Sequence, residues 1–428
     1  MSIKVFKFGG ASVKDANGVK NLANIVKRYD NNLIIVVSAM GKITNSMERL
    51  LGLWFNKQQT ETEAFYAVKS FHYAIIKDLI ANEEHSIYKE VGKVFEEIHL
   101  LLNTKPSNDY DKEYDRLVSY GEILSTKIVS AYLNEIGLDN IWIDARQIIK
   151  TDNTFREARI NWEKTTLNAK DVFTFNNEST YITQGFLGSN EKNEPTTLGR
   201  EGSDFTASII AFVLDCNDVT IWKDVPGVLN ADPKWFDDTV KLDVITYQDA
   251  IELTYYGASI IHPKTIKPLQ NKNIALHVKS FNEPDKDGTV IKSAGYDKLI
   301  PSFIFKVDQV LIQISPKDFS FIAEGNLKDI FNLISEHRVK INLMQNSAIS
   351  FSICTNNDPL RLPAFLEKLK DTFLINVQAD LELITIRYYD DKTIKRVTKG
   401  KDIILEQVAK DTIQIIVKDK SLSSPTGS

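Results

Sequence analysis

Cysteine and histidine are scarce in this 428-residue chain, and the few copies present do not cluster. Cys216 and Cys354 stand far apart, outside any CxxC or mixed Cys/His pattern, so each reads as a small buried apolar side chain rather than a redox or metal group. None of the six histidines has the HExxH spacing of a zinc site, which excludes catalytic zinc. Long apolar runs are missing as well. Residues 33–37 fall far short of the roughly 18 needed to cross a bilayer, and residues 1–8 are too short and too charged for a secretory signal, so a cytoplasmic protein is the expectation. Charge of one sign is not in surplus either. With 52 Lys+Arg against 57 Asp+Glu the net charge is -5, mixed along the chain, which gives no footprint for a nucleic-acid backbone. Nucleic acid and membrane therefore drop out of the expected partners.

What remains is ordinary globular material, 43% hydrophobic and 25% charged, long enough for two or three domains at roughly 150 residues each. In the N-terminal part, β-rich runs alternate with amphipathic stretches, the α/β pattern of a mostly parallel sheet covered by helices. Residues 3–8 read as a first strand ending at Gly9-Gly10, 19–29 as a helix and 33–37 as a second strand, together a βαβ unit. One long helical region is expected over 46–102 and another over 114–136, with strands at 141–144, 181–186, 219–222 and 274–278. Around 288–301 Gly, Ser, Pro and charges replace the periodic apolar residues, which puts a boundary near 300 and a first domain over 1–297. A βαββαβ order is read within 301–380, then a shortened unit over 381–420 with strands at 381–388 and 412–417, and a disordered tail over 421–428.

Four segments carry polar chemistry at strand ends. The first, Lys7-Phe8-Gly9-Gly10-Ala11-Ser12, is neither a Walker A loop nor GxGxxG; its glycines would let backbone amides approach a polyphosphate while Lys7 holds negative oxygens, or it is a tight turn with a solvated lysine. The second, residues 38–45 (SAMGKITN), places Ser38 and Thr44 beyond the carboxyl end of a strand, where α/β sheets hold ligands, and equally suits a helix cap. The third, residues 196–204 (TTLGREGSD), combines the arginine fork of Arg200 with Ser203 and Asp204 at a helix start; a plain capping loop has no need of Arg200 between glycines, so this one reads as functional. The fourth, residues 222–227 (WKDVPG), contains a type II turn at Pro226-Gly227, which leaves Lys223, Asp224 and the later Lys234 to a ligand or to solvent. Glu122, in SYGE, is ambiguous alone.

Taken in order, KFGGAS, SAMGKITN, SYGE, ITQGF, TTLGREGSD, WKDVPGV, ADPK, YYGASIIHP and DGTVI resemble the aspartokinases of the amino acid kinase superfamily over essentially the whole chain. The resemblance implies a three-layer αβα sandwich around a mostly parallel eight-stranded sheet, followed by an α+β, ferredoxin-like ACT regulatory region. It further implies ATP-dependent phosphorylation of the L-aspartate β-carboxylate, the first step toward lysine, threonine and methionine, with Mg²⁺ carried by the nucleotide and a homodimer formed through the ACT domains. Carried over, Lys7 steadies the transferring phosphoryl group beside Gly9 and Gly10, and Asp204 orients Lys7. Arg200 pairs the substrate α-carboxylate, Glu122 faces its ammonium, and Thr44, Ser38 and Ser203 add hydrogen bonds. Lys223, Asp224, Lys234 and Ser259 fall at nucleotide positions; no residue is assigned to a protein-held metal.

Some positions depart from the family pattern. Ala11 replaces a threonine, Glu201 a glycine, Leu229 a tyrosine, and Ser259 a lysine near the ATP phosphates for which Lys264 is a candidate substitute. In the regulatory part Asn346-Ser347-Ala348 stands where lysine-responsive members carry Thr-Ser-Glu, so weak or absent lysine inhibition is expected. Two alternatives stand beside the kinase reading: a non-catalytic amino-acid-sensing subunit of the same fold, and a relative acting on another carboxylate.

Overall fold

The computed structural model describes residues 3–29, 32–58, 61–175, 180–258, 261–293, 299–318 and 320–420. The chain forms two compact units: Met1–Val228 with Lys241–Ile251 and Ile260–Tyr296, and Leu229–Val240 with Glu252–Ser259 and Asp297–Ser428. Two segments that a 1–297 domain would include thus belong to the second unit. The tail over 421–428 lies outside the described residues.

The first unit is built on an eight-stranded sheet in the order Ile141–Ile143, Thr180–Gln184, Leu33–Val37, Lys4–Phe8, Asp218–Lys223, Ala275–Ser280, Thr289–Lys292, Val244–Thr246. Neighbours are parallel except where Thr289–Lys292 reverses against Ala275–Ser280. The central strands are buried on both faces, which is why Leu33–Val37 is an unbroken apolar run instead of an alternating one. Phe6, Phe8 and Trp222 pack across neighbouring strands, Phe8 and Trp222 stacked at 5.9 Å.

Where one long helix over 46–102 was expected, there are three: Ile43–Phe55, Glu61–Leu79 and Ser86–Leu102. The first ends at the polar Asn56, and the third starts where the His85 ring accepts from Ile87 N. Apolar periodicity continues across both breaks because all three helices face one core that includes Met47, Phe65, Ile76 and Phe95. The expected 114–136 helix is likewise two, Tyr110–Val118 capped by Asp109 and Tyr120–Glu135, divided at Ser119. Among the described residues no helix is long and apolar enough to cross a membrane.

The second unit carries a six-stranded antiparallel sheet ordered Ile341–Asn346, Phe351–Asn356, Ser302–Pro316, Phe373–Arg387, Thr412–Asp419, Lys401–Val408. Its two central strands run 15 residues each, where shorter separate strands were expected. Each passes through a left-handed aspartate, Asp308 (φ 54°) and Asp380 (φ 57°), next to register shifts at Lys306/Gln309 and Gln309/Leu311. This bulge divides the sheet. On one side Val310, Ile312 and Ile314 pack under the helices Glu324–Glu336 and Leu362–Thr372. On the other, Phe303, Ile384 and Ile415 pack with Val397 of the helix Asp391–Thr398 and with Phe236, whose ring lies 5.0 Å from Phe303 and 4.2 Å from the Arg396 guanidinium. The C-terminal half is therefore completed by the start of the Ser302–Pro316 strand and by the segment Leu229–Val240.

Candidate active site

The carboxyl ends of the strands Lys4–Phe8, Leu33–Val37, Thr180–Gln184 and Asp218–Lys223 open into one cavity of about 890 Å³. Of the residues singled out above, Lys7, Gly9, Gly10, Ser38, Thr44, Glu122, Arg200, Ser203, Asp204, Lys223 and Asp224 all line it. They come from five sequence segments, and the sheet order brings them together at the place where α/β sheets bind ligands.

Lys7 is the penultimate residue of its strand and is nearly buried. Its Nζ lies 2.5 Å from Asp204 Oδ1, and Lys223 Nζ lies 3.7 Å from Oδ2 of the same carboxylate. Burial alone would push the Asp204 carboxyl up, but the two ammonium groups outweigh it and hold the carboxyl below its ordinary value. One buried carboxylate thus lies between two ammonium groups at the floor of the cavity. Gly9 and Gly10 follow the strand without side chains, and a Cβ on Gly10 would sit 2.7 Å from Gly41 O and 2.8 Å from Ala39 O. The 38–41 loop therefore closes directly onto the glycine turn, with Gly41 N donating to Gly10 O at 3.0 Å.

Glu122 has the opposite character. It sits in the first turn of Tyr120–Glu135, 3% exposed, with Oε2 making no hydrogen bond. Burial pushes its carboxyl up to about 8 against the weaker pull of backbone hydrogen bonds at Glu122 and Ala39. A buried carboxyl oxygen without a partner, in a cavity wall, is a receptor for a cation that arrives with a ligand.

Arg200 is exposed on a turn between Gly199 (φ 75°) and Glu201 (φ 53°). A non-glycine residue in this left-handed conformation costs roughly 1 kcal/mol; the Glu201 carboxylate offsets it by accepting from His262 N at 3.0 Å. The added carboxylate is thus tied to a neighbouring backbone N–H. Ser203 starts the Gly202–Val213 helix so close to Gly185 that a Cβ there would come within 2.4 Å of Ser203 Cβ.

Other expectations fall elsewhere. Lys234 does not line the cavity; it lies in the second unit with its backbone N–H on Asp232 Oδ1. Ser259 is outside the described residues. Lys264 donates from Nζ to Leu198 O at 3.2 Å over the Phe205 ring, so it is not a cavity cation. Among the described residues no group of three or more His, Cys, Asp or Glu could hold a metal ion. The wall that sequence reasoning missed comprises Asp111, Tyr114 and residues 154–157. Behind it, fully buried Asp115 accepts from Thr197 N and Oγ1 and from Arg156 N, and burial pushes its carboxyl up to about 6 despite these bonds. No local motif marks these residues; only the acidic first turn after Asp109 hinted at a helix start there.

Comparison with known proteins decides the family. Residues 2–280 match the amino acid kinase family. Aspartokinase 1, chloroplastic, of Arabidopsis thaliana is 31% identical over 399 residues, 89% of this chain and 68% of the relative. The chain belongs to the amino acid kinase family, among the aspartokinases. Lysine-sensitive aspartokinase 3 of Escherichia coli (strain K12) is 29% identical over 394 residues, 90% of this chain and 86% of the relative. The crystal structure of E. coli aspartokinase III in complex with lysine and aspartate superposes with a TM-score of 0.83 at 27% identity, covering 98% of this chain and 96% of that one. The same enzyme in complex with aspartate and ADP superposes with a TM-score of 0.80. The three-layer α/β sheet and the antiparallel C-terminal sheet are those of this aspartokinase fold.

Proposed function

We infer that this aspartokinase transfers the γ-phosphoryl group of ATP to the β-carboxylate of L-aspartate, giving 4-phospho-L-aspartate, with the residues named above in the roles their positions allow. The observation that carries the reading is one cavity with two poles: the Lys7–Asp204–Lys223 cluster beside Gly9-Gly10, and Glu122, whose Oε2 has no partner, in the same cavity as Arg200.

An amino acid fits this polarity. Arg200 takes the α-carboxylate as a two-pronged fork, the substrate ammonium supplies the cation that Glu122 Oε2 lacks, and the hydroxyls of Ser38, Thr44 and Ser203 orient the rest. The β-carboxylate then points at Lys7. With an ordinary pKa of about 3.9 it is already ionised at neutral pH, so no general base is needed. Catalysis rests on in-line positioning and on neutralising phosphoryl oxygens, the task of Lys7 held by Asp204. Lys223 and Asp224 face the nucleotide side. Mg²⁺ would arrive on the nucleotide and neutralise its phosphate oxygens.

The second unit is assigned the regulatory part. Met344 (50%), Leu374 (48%), Ile403 (46%) and Val408 (61%) are exposed apolar residues on strands of this unit, and the homodimer is assigned to it. Sedimentation of the full chain tests that assembly. Ligand-induced melting separates the kinase from a pure sensor. The kinase is stabilised both by Mg-ATP and by aspartate; a sensor of the same fold would respond to neither, only to an effector.

A further inference from the structure

Besides Arg200, the cavity has a second arginine, and it stands where the backbone resists it. Arg156 has φ 65°, in the left-handed region that favours glycine. Strain of this kind persists where surroundings impose it. Three contacts impose it here. Arg156 N donates to buried Asp115 Oδ2 at 2.9 Å, the guanidinium lies 4.4 Å over the Tyr114 ring, and Nη1 meets Asp111 Oδ1 at 3.1 Å.

The loop is also joined to the one that carries Arg200. Ala158 N donates to Thr197 O at 3.0 Å, and a Cβ on Gly199 would sit 3.0 Å from Arg156 O. Two arginines therefore ride on adjoining backbone segments of one cavity wall. Stacking on Tyr114 uses the face of the guanidinium and Asp111 uses one edge, so most of its five N–H donors remain for a ligand.

We propose that Arg156 is a second substrate-contacting arginine, which binds the α-carboxylate of the amino-acid substrate together with Arg200 and makes the site select a free α-carboxylate. The proposal rests on the aspartate reading above and adds a specificity-determining residue to it. Tyr114 and Asp111 act through Arg156 and are positioning residues. Amino acids whose α-carboxylate is masked lose the charge-assisted hydrogen bonds from both guanidinium groups and bind more weakly.

The test compares Arg156→Gly, Arg156→Lys and Arg159→Ala, the last removing an exposed arginine of the same loop that does not line the cavity. Glycine suits φ 65°, so Arg156→Gly keeps the loop. KM and calorimetric Kd are measured for aspartate and for its α-methyl ester, with KM for ATP and the melting temperature alongside. Arg156→Gly should raise the aspartate KM and Kd about tenfold, the loss of a charge-assisted hydrogen bond. It should shrink the preference for aspartate over the ester by a similar factor and leave the ATP KM and melting temperature unchanged, with partial recovery in Arg156→Lys. An unchanged aspartate Kd, or an equal loss for acid and ester, overturns the proposal. A wild type that binds aspartate but forms no acyl phosphate would instead sink the kinase reading, and the binding comparison would still decide the role of Arg156. A wild type that binds no aspartate would sink both.

Discussion

Lys7 Nζ and Asp204 Oδ1, 2.5 Å apart, join the end of the central strand to the first turn of the Gly202–Val213 helix. The pair fixes an ammonium group that would otherwise be free to swing at the point where phosphoryl oxygens must be neutralised. Removing the cation and removing its anchor should therefore differ. Lys7→Ala is expected to lower kcat by about 10²–10³-fold with a small effect on aspartate binding. Asp204→Asn should lower kcat less, but also destabilise the fold by about 1–3 kcal/mol, because it removes the carboxylate that pairs the buried Lys7 ammonium. Steady-state kinetics and urea unfolding of both variants check this. The depressed Asp204 carboxyl also sets a sign: its stabilisation is present above the unfolded carboxyl pKa and lost as pH falls through the lower folded value.

Glu122 gives a pH dependence with the opposite sign. In the empty site its carboxyl stays protonated up to about 8, whereas pairing with an ammonium requires the anion. Aspartate KM should fall as pH rises from 6.5 to 8.5, and binding at pH 7 should release about one proton, read from calorimetry in buffers of different ionisation enthalpy. Glu122→Gln should flatten both effects and weaken aspartate at least tenfold.

The same residue predicts a trade between stability and function. A folded carboxyl pKa raised above the unfolded value means that stability falls as pH rises from about 4.5 through about 8, since the unfolded chain releases this proton first. Glu122→Gln removes the ionisable group. The ligand-free variant should melt above wild type at pH 8.5 and match it at pH 4.5; a lower melting temperature at both would contradict a buried Glu122 carboxyl without a counter-charge.

Glycine substitutions test the closeness of the walls. At Gly185 a methyl group meets Ser203 Cβ at 2.4 Å and cannot be accommodated without moving the start of the helix that carries Asp204. Gly185→Ala should cost about 1–3 kcal/mol of stability and more than tenfold in activity. Gly52→Ala, where nothing lies within 4 Å of the new Cβ, is the control and should stabilise slightly.

Regulation carries a further prediction. Asn346-Ser347-Ala348 offers no acidic group to an effector ammonium, and Ser347 is engaged with Ser350 in a turn, Oγ to Oγ at 2.8 Å. Millimolar lysine should inhibit weakly or not at all; strong inhibition would contradict this.

The floor of the cavity was legible in the sequence because its chemistry is local. KFGG and TTLGREGSD each place a charged side chain, small residues and a strand or helix end within a few positions, and each survives as a cavity wall. Arg156, Tyr114 and Asp111 were not legible, since no two are joined by a motif and their contacts exist only once the Tyr110–Val118 helix docks on the 154–157 loop. Lys264 misled for the reverse reason: its charge suited a phosphate, but tertiary packing brought a carbonyl to it first. Helix lengths were overestimated where Asn56 and Ser119 break the chain without interrupting the apolar period. In the second unit, left-handed Asp380 interrupts the apolar pattern without ending the strand, so Phe373–Arg387 reads as two strands, and only the part of Ser302–Pro316 after left-handed Asp308 reads as a strand. The packing of Phe236 on Phe303 and Arg396 joins residues far apart in sequence, and no local signal announces it.

The most direct measurement is an assay of purified protein with Mg-ATP and L-aspartate in the presence of hydroxylamine, which traps an acyl phosphate as the hydroxamate, run beside Lys7→Ala. Aspartyl hydroxamate formed by wild type and lost in Lys7→Ala is the expected result. No hydroxamate from folded wild type at saturating substrates, or equal amounts from both proteins, would contradict phosphoryl transfer to aspartate at the Lys7–Asp204 site.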